Sequence, residues 1–202
     1  MTTLLFFDTE TTGFTRSGVP ADDPTQAHLV QIAAIEANEE GFVRNHMSFV
    51  VRCPIPIPQN VVDIHGITSE ISLRDGVSER LALQLFKEMT GRADLLIGHG
   101  VSFDTEIIRL ACARNSMVAP DKPTVCTKTA ARMVVRSPSS AAMLAKGNKS
   151  FKAPTLGECV KHFFGTGFGE AHDAYADTRA CLRVYFELVR QGHVAVPNGV
   201  AA

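Results

Sequence analysis

The sequence lacks any long run of apolar residues. Its apolar runs span only a few residues, whereas a membrane-spanning helix needs about 20. No basic region precedes the apolar residues 4–7, and that run is too short for a secretory signal peptide. These absences predict a soluble protein that resides in the cytoplasm and does not contact membranes.

Cysteine is scarce and scattered. No two cysteines have the short spacing of a zinc site, and their odd number without a secretory signal argues against a disulfide framework. We therefore expect buried, reduced thiols that pack as small apolar residues. The five positions are Cys53, Cys112, Cys126, Cys159 and Cys181.

The sequence has neither internal repeats nor signs of a second hydrophobic core. Its 202 residues are 45% apolar and 20% charged, which is ordinary for a compact globular protein. We predict a single domain over residues 1–192, followed by a frayed tail over residues 193–202.

The net charge of −1 hides an asymmetry along the chain. Between Arg109 and Lys152 there are nine basic residues and one acid, which gives +8 and leaves −9 for the rest. A basic arm combined with an acidic pocket is typical of a metal enzyme that binds polyanions, and chance clustering on solvated faces is the alternative. We predict that residues 137–154, at the end of this stretch, form a mobile loop from which Lys146, Lys149 and Lys152 reach outward.

Alternating strand and helix patterns predict an α/β fold. Three strands joined by tight connections form an antiparallel meander, and an extended proline-rich connector follows at Pro54–Pro58. A helix, a fourth strand and further helices come next, with Ser102 and the Thr155–Glu158 pair as helix caps. The predicted strands are 3–8, 28–37, 42–52 and 94–98, and the predicted helices are 77–89, 103–114, 127–135, 156–164 and 174–191. This order indicates a mixed sheet with helices on both faces.

Two acids lie at the carboxyl end of the first strand. Asp8 and Glu10 point the same way because side chains alternate along a strand, and they lie at its carboxyl end, where α/β proteins tend to bind ligands. Adjacent carboxylates repel each other unless a cation lies between them. A bare pair of this kind is also compatible with a solvated strand end.

Two further acids occur at helix starts. Asp104 lies in the first turn of a helix, where it could simply favour the helix dipole. Asp177 lies on the apolar side of the last helix, so it needs a partner or a metal ion. His172, just before this helix, is either a surface residue or part of the same site.

Taken together, these positions resemble the DEDDh (DnaQ-like) family of 3′→5′ exonucleases, typified by the proofreading epsilon subunit of bacterial DNA polymerase III. The motifs are Phe7–Gly13 (FDTETTG), His99–Asp104 (HGVSFD) and His172–Asp177 (HDAYAD), with accessory stretches at Ile64–Thr68 and Pro154–Leu156. The resemblance covers about residues 3–190 and implies a ribonuclease H-like fold. One departure is Gly100, where the family usually has an asparagine that supports the site.

The resemblance implies a two-metal mechanism. Asp8, Glu10, Asp104 and Asp177 would hold two Mg²⁺ or Mn²⁺ ions, and His172 would act as general base after a flexible lead-in at Gly165, Gly167 and Gly169. The products would be nucleoside 5′-monophosphates. Thr11, Phe14, His65 and Phe103 would contact the terminal nucleotide, although core packing is an equal alternative for the two phenylalanines.

The substrate and partners are less defined by the sequence. Single-stranded DNA is favoured over RNA, so proofreading or repair, with a possible DNA polymerase or repair partner, competes with RNA end-trimming. A non-catalytic nucleic-acid-binding or docking module would have lost an acid or the histidine, and none is lost. The short stretch after the last helix favours a freestanding nuclease or a subunit that docks through its surface. The stretch Gly147–Ser150 lacks the glycine spacing of a P-loop, which disfavours an ATP-driven function.

Overall fold

A five-stranded mixed sheet forms the centre of the computed structural model, which describes residues 2–167, 169 and 172–195. The strand order is β3-β2-β1-β4-β5. The first three strands are antiparallel neighbours, whereas β4 and β5 run parallel to β1, so both the α/β class and the meander are confirmed. The strands are β1 (Thr3–Thr11), β2 (Leu29–Asn38), β3 (Val43–Val50), β4 (Leu95–Gly98) and β5 (Thr124–Cys126).

Helices cover both faces of this sheet, as predicted. In the part of the chain that the structure describes, none of them is long and apolar enough to cross a membrane. They are α1 (Gln59–His65), α2 (Ser69–Asp75), α3 (Glu79–Arg92), α4 (Val101–Arg114), α5 (Thr127–Ala130), α6 (Arg132–Val135), α7 (Ala141–Ala145), α8 (Leu156–Phe164) and α9 (Ala174–Arg190).

Strand β1 is buried on both faces because its apolar residues alternate between two helical layers. Phe7 packs towards α3, with its ring centroid 5.2 Å from that of Phe86. Phe6 packs towards α9, with its ring centroid 5.3 Å from that of Tyr185. The same alternation continues to the end of the strand. It turns Asp8 and Glu10 towards the α9 side and the intervening residue towards α4.

Local capping fixes where the last two helices begin. The Asp173 side chain accepts hydrogen bonds from the amides of Tyr175 and Ala176, at 3.1 and 2.9 Å, and so starts α9. The capping box predicted for α8 is present, because Thr155 accepts from the amide of Glu158 and the Glu158 carboxylate accepts from the amide of Thr155. The helix starts predicted at these two positions are therefore confirmed.

Other boundaries differ from the sequence predictions. Ser102 is not the N-cap of α4, because that helix already begins at Val101 after Gly100, whose φ of 105° is a left-handed value that favours glycine. The single helix predicted over residues 127–135 is two short helices, interrupted at Ala131. Three short elements, α1, α2 and β5, were not predicted from the sequence, since elements this short show little periodicity.

Residues 137–154 were predicted to form a loop, and this prediction is wrong in part. The segment contains α7, and its ends are joined where the Lys152 amide donates to the Ser137 carbonyl at 3.1 Å. The Lys152 ammonium lies 2.8 Å from the Glu158 carboxylate, so this lysine does not reach freely into solvent. Lys146 and Lys149 are exposed, as expected.

Two smaller predictions have different outcomes. All five cysteines are free thiols, and the burial expected for them is found at four. Cys126 is only half-buried. The frayed tail predicted over residues 193–202 falls mostly on residues 196–202, which lie outside the described residues.

Candidate active site

The five residues that the sequence singled out for catalysis lie together around one open cleft. The cleft has a volume of about 340 Å³ and opens at the carboxyl ends of β1 and β4. The residues that come together are Asp8, Glu10, Asp104, His172 and Asp177. The sheet topology explains this arrangement, because parallel neighbouring strands end at the same edge and place their following residues side by side.

Asp104 is held in place by its neighbour on β1. Thr9 donates two hydrogen bonds to Oδ1 of Asp104, from its amide at 3.1 Å and from its hydroxyl at 2.8 Å. Asp104 is only 4% exposed. Because both bonds reach the same carboxylate oxygen, they fix Oδ1 and leave Oδ2 for a ligand. The residue between the two acids of β1 thereby orients a third acid on α4.

His172 and Asp177 are linked through the backbone at the start of α9. The His172 amide donates to Oδ2 of Asp177 at 3.2 Å, and His172 has a left-handed backbone with a φ of 69°. Such a conformation is uncommon for a residue with a side chain and often occurs at functional sites. Oδ1 of Asp177 is buried and has no hydrogen-bond partner among the described residues.

Burial and mutual repulsion raise the pKa values of the clustered acids. Burial, followed by the charge of Asp177, raises the pKa of Glu10 to about 8. Burial also raises the pKa of Asp104 to about 7, although the bonds from Thr9 oppose the shift. The pKa of Asp8 lies well above its usual range because of burial and then the charge of Asp104. Deprotonated together, these groups would form an uncompensated cluster of negative charge.

The donor atoms of this cluster fit divalent cations. Glu10, His172 and Asp177 each offer a ligand atom, and these atoms all lie within 4.8 Å of one another. Asp177 also brings the unpartnered oxygen described above. Carboxylate oxygens are the ligands that Mg²⁺ and Mn²⁺ prefer, and the described residues that line the cleft include no cysteine.

The two phenylalanines predicted to contact substrate lie side by side at the cleft. Phe14 is 88% exposed, which excludes core packing for this residue. Its ring meets that of Phe103 edge to face, with centroids 6.0 Å apart. Phe103 is half-buried and packs against the core between the sheet and α3, so it links the exposed ring of Phe14 to the core. Phe14 also lines a neighbouring cavity of about 440 Å³.

The other two predicted contacts are placed differently. Thr11 is not among the residues that line the cleft. Its hydroxyl instead donates to the Gly13 carbonyl at 2.8 Å and closes the turn after β1. His65 ends α1 and, together with His172, lines an adjoining cavity of about 570 Å³. Its Nδ1 accepts a hydrogen bond from the Ile67 amide at 3.1 Å, so the neutral ring carries its proton on Nε2. Burial lowers the pKa of His65, which favours this neutral form.

Two other residues of the cleft received no role in the sequence analysis. His99 bridges two segments, with Nδ1 3.0 Å from the Thr127 hydroxyl and Nε2 3.1 Å from the Pro154 carbonyl. Burial lowers the pKa of His99 to about 4, so its ring is neutral and donates to Pro154. Lys128 lines the same cleft as the acids of β1. It was missed because β5, which places it there, was not recognised as a strand.

Solved structures of exonuclease I from E. coli share this fold. The complex with a dA16 oligonucleotide is 23% identical, with a TM-score of 0.72 over 95% of this chain and 41% of that chain. The zinc-ion-bound complex with single-stranded DNA is 22% identical, with a TM-score of 0.71 over 95% of this chain and 41% of that chain. These similarities confirm the predicted ribonuclease H-like fold.

Curated relatives and one family match the sequence. A Mycobacterium tuberculosis protein described as a bifunctional exonuclease/endonuclease is 26% identical over 191 residues, which are 94% of this chain and 27% of that protein. The PolC-type DNA polymerase III of Latilactobacillus sakei is 28% identical over 130 residues, which are 64% of this chain and 8% of the polymerase. The chain thus spans about a quarter or less of the length of these relatives. Residues 5–185 match the RNase T family, described as exonuclease. Since this match covers most of the sequence, the chain belongs to the exonuclease family, and the DnaQ-like resemblance of its motifs is confirmed.

Proposed function

We propose that this protein is a metal-dependent 3′→5′ exonuclease that removes nucleotides one at a time from the 3′ end of single-stranded DNA. The observation that carries the proposal is an open cleft that brings four carboxylates together beside an exposed histidine. Buried acids with raised pKa values are unfavourable as a purely structural arrangement, whereas a nuclease needs them to hold cations.

Four side chains would hold the cations: Asp8, Glu10, Asp104 and Asp177. Two bound Mg²⁺ or Mn²⁺ ions would supply charge neutralisation at the phosphate and activation of the attacking water. The protein contributes the arrangement of the ligands. Thr9 fixes Asp104, and the His172 amide fixes Asp177, so that neither carboxylate has to reorganise when a substrate binds.

His172 is the proposed general base. Its ring lines the cleft and lies close enough to Glu10 and Asp177 for their ligand atoms to share one site. An imidazole in this position can accept the proton of the attacking water. His172 combines this position with a left-handed backbone, a conformation that often occurs at functional sites.

Aromatic and polar residues around the cleft would hold the terminal nucleotide. Phe14 offers an exposed ring on which a base can stack, and Phe103 keeps that ring in place. His65 lines the adjoining cavity, so its ring can contact the sugar-phosphate of the same nucleotide. Because the adjoining cavity is shared by His65 and His172, this nucleotide would extend from the cleft into it.

The preference for DNA rests on the relatives. The E. coli exonuclease I structures with a similar fold contain a dA16 oligonucleotide or single-stranded DNA, and one sequence relative is a DNA polymerase. A cytoplasmic role in proofreading or repair, with a DNA polymerase or repair partner, belongs to the same proposal. RNA end-trimming uses the same residues and is the competing outcome of the test.

A digestion panel with end-labelled substrates tests the proposal. Linear single-stranded DNA, duplex DNA and RNA of one sequence are incubated with Mg²⁺, next to a closed circular single strand. We expect stepwise shortening of linear single-stranded DNA to nucleoside 5′-monophosphates, protection by a 3′-phosphate, and an intact circle. Faster digestion of RNA would make the DNA assignment wrong, and loss of the circle would overturn the exonuclease proposal.

A further inference from the structure

Lys128 brings a positive charge into the acidic cleft. Of the described residues that line the cleft, it is the only lysine or arginine. It is half-buried, and within the described part of the chain it forms no ion pair with a carboxylate. A cation beside four acids that pairs with none of them is available to a ligand of negative charge.

The base of Lys128 is fixed by the residues before it. Thr127 is fully buried, and its hydroxyl contacts the Gly98 carbonyl at 3.3 Å and the His99 ring at 3.0 Å. These contacts join the start of α5 to the end of β4, next to the acids on β1 and α4. The backbone at Lys128 is therefore held in a defined place, although its ammonium group is free.

The stem of Lys128 passes over a residue that has no side chain. A Cβ atom at Gly100 would lie 3.9 Å from Cδ of Lys128, which is ordinary van der Waals contact. A longer side chain at position 100 would compete with the lysine for this space. The left-handed backbone of Gly100 also disfavours such a side chain. Gly100 thus leaves the surface of the cleft open for the lysine.

The charge of the surrounding segment indicates which part of the substrate Lys128 meets. Lys128 belongs to the stretch from Arg109 to Lys152, which carries +8, and it is the residue of this stretch that lines the cleft. Arg132, one turn further along, already donates to the Phe151 carbonyl and the Ser150 hydroxyl. A nucleic-acid strand that enters the cleft would meet Lys128 as the first available cation of the basic stretch.

We propose that Lys128 binds the phosphate on the 5′ side of the scissile phosphate and so holds the incoming strand in register. A lysine ammonium suits this role because it binds a phosphate as a point charge without fixed orientation. This inference rests on the proposed exonuclease function. It assigns to Lys128 a binding role for the substrate strand that is separate from the carboxylates and from His172.

Two short substrates isolate the contact. A dinucleoside monophosphate has only the scissile phosphate, whereas a trinucleoside diphosphate has the neighbouring one as well. Lys128→Met removes the charge but keeps the aliphatic stem over Gly100, and Lys128→Arg restores a cation. Lys161→Met is the matched control, because Lys161 is an exposed lysine on α8 that does not line the cleft. Melting temperatures establish that all variants are folded.

For Lys128→Met we expect KM to rise about tenfold on the trinucleoside diphosphate, in the range of one hydrogen bond to a charged group, while kcat changes little. Both constants should stay unchanged on the dinucleoside monophosphate, Lys128→Arg should regain most of the loss, and Lys161→Met should behave as wild type. On a long single strand, the salt dependence of kcat/KM should flatten by a slope of about 0.7. Equal losses on both short substrates, or no loss on either, would overturn the inference. A wild-type protein that cleaves neither substrate would instead overturn the proposed function, and this role with it.

Discussion

Gln31 on β2 clamps Asp173 at the start of α9. Its side-chain amide donates to Oδ2 of Asp173 at 2.9 Å, and its Oε1 accepts from the Ala174 amide at 3.0 Å. The other oxygen of Asp173 caps the helix. Because His172 precedes this clamp and Asp177 follows it by one turn, Gln31 sets the position of both from the strand position opposite Glu10.

Replacing Gln31 with leucine should therefore disturb the site as well as the fold. Gln31 is 6% exposed, so the loss of its hydrogen bond to a carboxylate should lower the free energy of unfolding by about 1–3 kcal/mol. We also expect kcat to fall, since α9 carries Asp177. Gln191→Leu is the control, because this exposed glutamine bonds Glu187 at the other end of α9. Similar kcat values for the two variants would contradict the positioning role of Gln31.

Thr9→Val should weaken metal binding without unfolding the protein. The substitution keeps the shape of the side chain and the amide bond to Asp104 but removes the 2.8 Å bond from the hydroxyl. Residues that orient metal ligands typically contribute about 10–100-fold in metal affinity or activity. A titration of activity against Mg²⁺ should show a higher half-maximal concentration. Thr105→Val is the control. Thr105 follows Asp104 on α4, and its hydroxyl donates to the Ser102 carbonyl. Its loss should leave the Mg²⁺ titration unchanged.

The metal-free protein should lose stability as the pH rises. Burial and repulsion raise the pKa of Glu10 to about 8 and that of Asp104 to about 7, so the folded protein keeps protons that the unfolded chain has released. This contribution is fully present below the unfolded pKa values of 4.5 and 3.8 and is lost as the pH rises through the folded values. Bound cations offset the repulsion.

The measurement is the increase in melting temperature that Mg²⁺ causes relative to EDTA, at pH 6 and at pH 8. The increase should be larger at pH 8, where the acids of the metal-free cluster hold fewer protons than at pH 6. Buried histidines with a lowered pKa, such as His28 and His99, shift stability in the opposite direction, but they act with and without Mg²⁺ and cancel in this difference. An equal increase at both pH values would contradict the cluster as a cation site.

The exposed lysines of the basic stretch should matter only for long substrates. Replacing Lys146 and Lys149 together with alanine should raise KM on a long single strand, because both can contact phosphates upstream, and should not affect a dinucleoside monophosphate. Lys152→Ala is the control: it breaks the ion pair with Glu158, which contributes at most about 1 kcal/mol, and should leave KM unchanged. An unchanged KM in the double variant would show that these two lysines do not contact the substrate.

The sequence was sufficient to predict the residues that gather at the cleft. Asp8 and Glu10 follow a buried run, and their common direction follows from strand alternation alone. Asp104 and Asp177 could be placed because clear apolar patterns mark the helices that carry them. The three-residue strand β5 has no such pattern, and without it Lys128 could not be located beside the acids.

Contacts between distant segments account for most of what the sequence analysis missed. Nothing in the sequence around Gln31 indicates a bond to a residue 142 positions away. The ion pair of Lys152 depends on how residues 137–154 fold back onto α8, so the lysine looked free in the sequence. Phe14 could belong to the core or to the site on sequence grounds, and only its exposure of 88% decides between them.

The most direct test of the metal-dependent site is the digestion of a 5′-labelled single strand by wild type and by Asp177→Asn, each with Mg²⁺ and with excess EDTA. Asp177→Asn preserves shape but removes the charge and one oxygen ligand from the cluster that contains Glu10 and His172. We expect stepwise 3′→5′ shortening by wild type with Mg²⁺, none in EDTA, and almost none by the variant, with a melting temperature that shows the variant to be folded. Wild-type cleavage that persists unchanged in EDTA, or an Asp177→Asn variant that cleaves at the wild-type rate, would contradict the metal-dependent site.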